Sequence, residues 1–276
     1  VEFDVEAVLV STKNIEWSIY GNITYVDGKV VRLPDSYLKE DGTRWYAGSS
    51  YILKEGGSLH QAYMPEYAGV DAETGKALYY LDPADHSKGT TATYSQDLAG
   101  DLGDISVKCY GGFGTSLNLY GVDLGVQFAY QFGGKAYDGT YQEMMHAGDK
   151  PGHIWSVDIL NAWTPENTQT DVPRLSASDS YDQQTSSRWL VSSNYLSLNN
   201  VTVGYTLPSK WTNKIGVSKA RVFFQGDNLA LFSARQGYDP RQIQNATSYG
   251  VGISTNTGNF VYSMTRTFSG GISISF

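Results

Sequence analysis

Cysteine is almost absent. Cys109 stands alone among 276 residues, so no intrachain disulfide staples the fold, and a single buried thiol is the expected state. Positive charge is also scarce: 20 Lys and Arg against 28 Asp and Glu leave a net charge of -8. That balance argues against a sequence-independent nucleic-acid footprint and against a polybasic membrane-surface protein. Long apolar runs are missing, mean hydropathy is -0.33, and nothing approaches the ~18 apolar residues of a spanning helix. Strand-built membrane proteins stay open, because a barrel strand needs only ~9–11 residues and only half of them apolar.

The usual signatures of catalysis are lacking too. Four histidines, His60, His86, His146 and His153, show no i, i+4 pair of the zinc-helix kind. His146 and His153, with Asp149 between them, fit a solvated loop better than a metal site. Gly112-Phe-Gly114 is followed by Leu117 where a dinucleotide fingerprint needs glycine, and there is no G-x-S-x-G elbow. Glu2, Asp4 and Glu6 are spaced like glycosidase carboxylates, but residues two apart on a strand point the same way. Such a pair must flank a bond from opposite sides, so these three read as lining a wet lumen. Neither an enzyme nor a bound cofactor or metal is expected. The three Asn-x-Thr triplets, at Asn22, Asn200 and Asn245, read as coincidence, since the first two lie inside predicted strands.

What is present is β-structure: 21 Tyr, 30 Gly and 13% aromatics suit strands, turns and interfacial aromatic girdles. The last eleven residues are the clearest case. Phe268, Gly270, Ile272, Ile274 and Phe276 share one parity, and Ser269, Ser273 and Ser275 the other. Two-residue alternation puts the first set on one face and the serines on the opposite face. A terminal strand that ends on an aromatic residue suits a barrel whose outward face meets lipid, and the Phe268–Phe276 set reads as its assembly signal. Val1–Leu9, Ile15–Tyr25, Ser106–Leu119, Val122–Phe132, Tyr195–Leu207, Lys219–Leu231 and Tyr262–Phe276 all alternate. Weaker signals at Tyr51–Glu55 and Ser58–Tyr67 bring the expected count to about nine strands.

Short connections alternate with long ones, as in an outer-membrane barrel with short periplasmic turns and long outer loops. Ala68–Asp104 and Lys135–Ser193 are expected to be mostly irregular loop. Three aromatics there, Trp163, Tyr181 and Trp189, are the candidate contacts for a substrate or a lid. Exposed, their rings would stack on sugar faces or line a peptide groove; otherwise they are loop packing. With no initiator Met and a start in mid-strand, the chain is expected to be the C-terminal piece of a longer polypeptide. A secreted, carbohydrate-binding β-sandwich is the competing architecture.

Tyr195-Leu-Ser-Leu-Asn-Asn-Val-Thr-Val-Gly-Tyr-Thr-Leu-Pro208 resembles a strand of the SusC/RagA-type TonB-dependent outer-membrane transporters of the Bacteroidota, with Ser197 and Asn199 where that family has Arg and Lys. Further runs follow in the family's order: Gly69-Val-Asp-Ala-Glu-Thr-Gly75, Leu124–Gly133, Trp163-Thr-Pro-Glu-Asn-Thr168 with Pro173-Arg174, Arg221–Leu229, Gly237-Tyr-Asp-Pro240 and Arg266-Thr-Phe268. The resemblance covers nearly the whole chain. It implies an all-β, antiparallel transmembrane barrel segment, residues 1–276 being about nine strands of a ~22-strand barrel that holds a plug. It implies import of oligosaccharides or oligopeptides across a bacterial outer membrane. It further implies a SusD-like surface lipoprotein, TonB, and the remainder of the same barrel and plug as partners. A siderophore- or vitamin-type transporter of the same architecture, without the lipoprotein lid, is the nearest alternative.

Overall fold

Alternating sequences become strands because side chains on a pleated backbone point to opposite faces in turn. The computed structural model describes residues 1–179, 183–243 and 264–276. Its backbone is one seven-stranded antiparallel sheet: β1 (Glu2–Ser11), β2 (Ile15–Tyr25), β3 (Cys109–Leu119), β4 (Val122–Phe132), β5 (Tyr195–Thr206), β6 (Lys219–Ser233) and β7 (Thr267–Ser275). Neighbours in sequence are neighbours in space, in the order β1-β2-β3-β4-β5-β6-β7. The seven long alternating segments of the sequence are these seven strands. Part of the expected Tyr262–Phe276 strand, residues 262–263, lies outside the described residues.

Among the described residues seven strands form the large sheet, and the two weaker signals that brought the expected count to about nine are not part of it. Ile52–Lys54 and Gln61–Pro65 are extended, but they pair with Trp45–Ala47 and with Ala99–Asp104 in separate two-stranded sheets. Neither joins the large sheet. Both lack the eleven-residue alternation of β2, so nothing holds them in register along its full height.

Register across the sheet fixes two chemically distinct faces. One row runs Ile19–Thr115–Val126–Val201–Gly226–Phe268 and another Gly21–Phe113–Phe128–Leu198. With Phe3, Val5, Ile23, Leu124, Val203, Val222, Phe224, Ile272 and Ile274, this face carries no ionisable carboxylate, lysine or arginine. Its rings pack on one another: Phe113 stacks on Phe128 at 4.9 Å and Phe224 on Phe268 at 6.0 Å between centroids. Trp17, Ile23, Val203, Val222, Ile272 and Ile274 are all exposed. Among the described residues no second layer of protein covers them, as the core of a β-sandwich would require.

The opposite face is polar: Glu2, Asp4, Glu6, Asn22, Ser116, Gln127, Asn200, Thr202, Ser269 and Ser273. Here Arg221 of β6 reaches across β5 to form a two-pronged ion pair with Asp123 of β4, Nε donating to Oδ1 at 2.9 Å. The intervening residue is Gly204, and a Cβ there would collide with both charged groups. Cys109, expected to be buried, is only half buried because it sits on the apolar row between Tyr25 and Phe132.

Antiparallel order sorts the connections by end. Residues 12–14, 120–121 and 207–218 join β1-β2, β3-β4 and β5-β6 at one end, while 26–108, 133–194 and 234–266 cross over at the other. Tyr120 and Gly121 both have positive φ, 51° and 89°, the geometry whose twist matches a two-residue hairpin.

Candidate functional site

The first two long connections, expected as mostly irregular loop only over Ala68–Asp104 and Lys135–Ser193, fold together into a cap with its own dry core. Ala62 and Met64 from the first connection pack against Tyr137, Met145, Ile159, Ala162, Val172 and Trp189 from the second. The strands Lys135–Tyr137 and Leu190–Ser192 pair and close the root of the second connection. At the junction with the sheet, Lys108 bridges Asp27 at 2.9 Å and Asp104 at 2.5 Å. Burial pushes the Asp104 carboxyl up, but hydrogen bonds from Lys108 and Ser106 outweigh it and hold the group well below the usual carboxylate range. Those same bonds to Asp104 and Asp27 raise the Lys108 ammonium above its ordinary value.

The three candidate aromatics do not come together. Trp189 is 0% exposed, its Nε1 donating to the Gln184 carbonyl at 3.0 Å and its ring edge-on to Tyr141 at 6.1 Å. A fully enclosed ring packs; it does not stack on a ligand, and the contact role expected for Trp189 is corrected to a core role. Tyr181 lies outside the described residues. Trp163 is half buried, with Nε1 donating to the Ala72 carbonyl at 3.1 Å.

That last contact joins two runs the sequence shows separately. The Asp71–Gly75 turn is held by Asp71, whose carboxylate accepts from the amides of Glu73 and Thr74 at 2.8 and 2.9 Å. Trp163 and Arg174 close over it, Arg174 donating to Thr74 O at 3.2 Å and its amide to Gly75 O at 2.8 Å. Gly75 has φ +71°, and a Cβ there would overlap the Trp163 ring. Gly75→Ala is therefore expected to destabilise the cap by about 1–2 kcal/mol for the left-handed backbone alone, with the ring clash in addition. A lowered denaturant midpoint, read by tryptophan fluorescence, checks this.

His146, expected in a solvated loop, is instead 2% exposed. Its ring stacks on Trp155 at 5.0 Å, and Nδ1 accepts from the Gly148 amide at 3.3 Å. Among the described residues no group of three His, Cys, Asp or Glu is placed to hold a metal ion.

The most buried carboxylate among the described residues was not foreseen from the sequence. Asp138, 1% exposed, accepts from the Tyr141 amide at 2.9 Å and forms an ion pair with Arg235 of the third long connection. The Arg235 guanidinium also lies over the Tyr141 ring at 4.1 Å. A buried carboxylate costs several kcal/mol unless paired, so this contact ties the third connection to the cap. Beside it opens a cleft of about 440 Å³, with Arg235, Tyr238, Arg241 and Arg266 in its lining. Arg241 grips Asp239 through two hydrogen bonds of 2.8 and 2.7 Å. Burial pushes the phenols of Tyr137, Tyr141 and Tyr238 above their ordinary value and keeps them neutral; Tyr137 donates to Gln142 and Tyr141 to Asp158. The only sequence signal was Gly237-Tyr-Asp-Pro240; nothing local linked Arg235 to a carboxylate 97 residues earlier.

No protein-family model matches the chain. TonB-dependent receptor P3 of Formosa agariphila is 26% identical over the whole chain, and receptor P26 of the same organism 23%. The chain spans 28% of the length of each of these relatives. Among solved structures, the RagAB peptide transporter superposes on the entire chain with a TM-score of 0.76 and 25% identity, over 29% of its own length. The RagAB peptide importer in its open-open state gives the same TM-score and identity. Both comparisons run from β1 to β7, so cap and sheet match together rather than the sheet alone.

Proposed function

We propose that this chain supplies part of the wall and outer cap of a SusC/RagA-type TonB-dependent importer in a bacterial outer membrane, carrying oligopeptides or oligosaccharides. One observation carries the reading. Seven strands of nine to fifteen residues present an uncharged face that nothing among the described residues covers, opposite a polar face, as a barrel wall between lipid and lumen requires. A competing β-sandwich would bury that apolar face under a second sheet.

In hydrocarbon every backbone polar group needs a partner, and the outer edges of β1 and β7 have none among the described residues. Further strands of the same barrel therefore pair there, with Phe268, Gly270, Ile272, Ile274 and Phe276 as the outward set that guides closure. The 26–108 and 133–194 connections face the cell exterior, where a SusD-like lipoprotein would close over them and Trp163 and Tyr181 would meet lid or cargo. TonB would act through parts of the polypeptide other than residues 1–276. The chain performs no covalent chemistry in this scheme; it binds and conducts.

Purification from envelopes in detergent tests the proposal. A surface lipoprotein is expected to co-purify, and cells carrying the gene are expected to take up labelled oligopeptides or oligosaccharides only while energised. Uptake without any lipoprotein would favour the siderophore-type alternative. A folded monomer in detergent-free buffer would end the membrane reading.

A further inference from the structure

The connection between β5 and β6 differs from the other two at its end of the sheet, which are turns of two or three residues. Pro208 opens a helical segment, α over Ser209–Thr212 and 3-10 over Asn213–Ile215. Gly216, at φ +76°, ends it. Thr212 and Val217 are 3% and 7% exposed and fix the segment to the sheet end, whereas Trp211 and Ile215 are 62% and 77% exposed. Residues four apart lie on one side of a helix, so the indole and the isoleucine form one outward apolar stripe. Lys210 and Lys214 form a second stripe beside it, also exposed. Residues 208–219 hold three lysines and no acidic residue, in a chain whose net charge is -8. Lys210 and Lys214 have no ion pair among the described residues, whereas Lys219 sits on the polar face and interacts with Asp123.

We propose that this segment is an interfacial anchor that docks on the acidic phospholipid headgroup layer at the short-turn rim of the sheet. The inference rests on the membrane reading above. Two features select lipid as the occupant. The stripe lies at the end of the apolar face, whose exposed pair Tyr205 and Val222 flanks the segment in sequence, with Ala220 of the same face buried between Val222 and the segment. The lysines complement headgroup phosphates, and Trp beside Lys is the pairing that favours a membrane–water boundary, with an apolar body on one side and a charged tip on the other.

Trp17, on the apolar face of β2, provides an internal control. The protein is reconstituted in nanodiscs of phosphatidylcholine and phosphatidylglycerol with or without brominated acyl chains, and difference fluorescence is taken against Trp211→Phe and Trp17→Phe. Quenching of both components, Trp211 more strongly by bromines near the headgroup than by deep ones, is the expected result. If only the Trp17 component is quenched, the anchor is overturned and the membrane reading stands. If neither is quenched, the membrane reading fails and takes the anchor with it. Lys210→Glu with Lys214→Glu is expected to weaken Trp211 quenching in phosphatidylglycerol discs and leave it unchanged in phosphatidylcholine alone. Equal quenching in both lipids would overturn the headgroup contact.

Discussion

Replacing Trp189 with alanine is expected to cost the cap about 3–5 kcal/mol, the usual range for emptying a large buried aromatic site. The ring lies among Met64, Met145 and Ile159, contributed by two different connections, so its loss separates the two halves of the cap. Limited proteolysis is the direct readout: new cuts within residues 26–108 and 133–194, with the strands still protected. Trp163→Ala, at the cap's rim, is expected to leave most of that protection in place. Equal protease resistance in wild type and Trp189→Ala would mean that the cap is not held by this core.

The second large effect concerns the sheet. Val126 and Gln127 are adjacent on β4, but the pleat turns them to opposite faces. Val126→Arg puts a charge in the middle of the apolar face, where a bilayer midplane penalises arginine by about 2–4 kcal/mol. Gln127→Arg adds the same charge to the wet face and is expected to assemble like wild type. Folding yield into lipid vesicles, followed by the gel shift between folded and heat-denatured forms, separates the two. Similar yields for both variants would remove hydrocarbon from the account of this face.

The pair Val126 and Gln127 also shows why the sheet is readable from sequence. Parity along one strand needs no distant partner, so β2, β4 and the chain end declared their faces residue by residue. The cap did not. Its strands are two to six residues long, too short for periodicity, and its order comes from a core cluster that gathers Met64 and Trp189 from separate connections. The failed expectations share that cause. Trp189 looked like an exposed loop aromatic, His146 a solvated one, and Gln61–Pro65 a wall strand, because local sequence carries no record of what packs against it. Asp138 and Arg235 went unnoticed for the same reason.

What the sequence by itself determined is the two-faced antiparallel sheet, the sorting of short and long connections to opposite ends, and the outward chemistry of each strand. All of these follow from a two-residue period and from chain order. Tertiary structure alone decided that the weaker strand signals stay out of the large sheet of the described residues, that two long connections share one dry core, that Gly204 lets Asp123 meet Arg221, and that Trp211 and Ile215 stay outside while Thr212 and Val217 do not. Each depends on side chains from separate segments competing for the same space, and only the folded chain brings them close enough to compete.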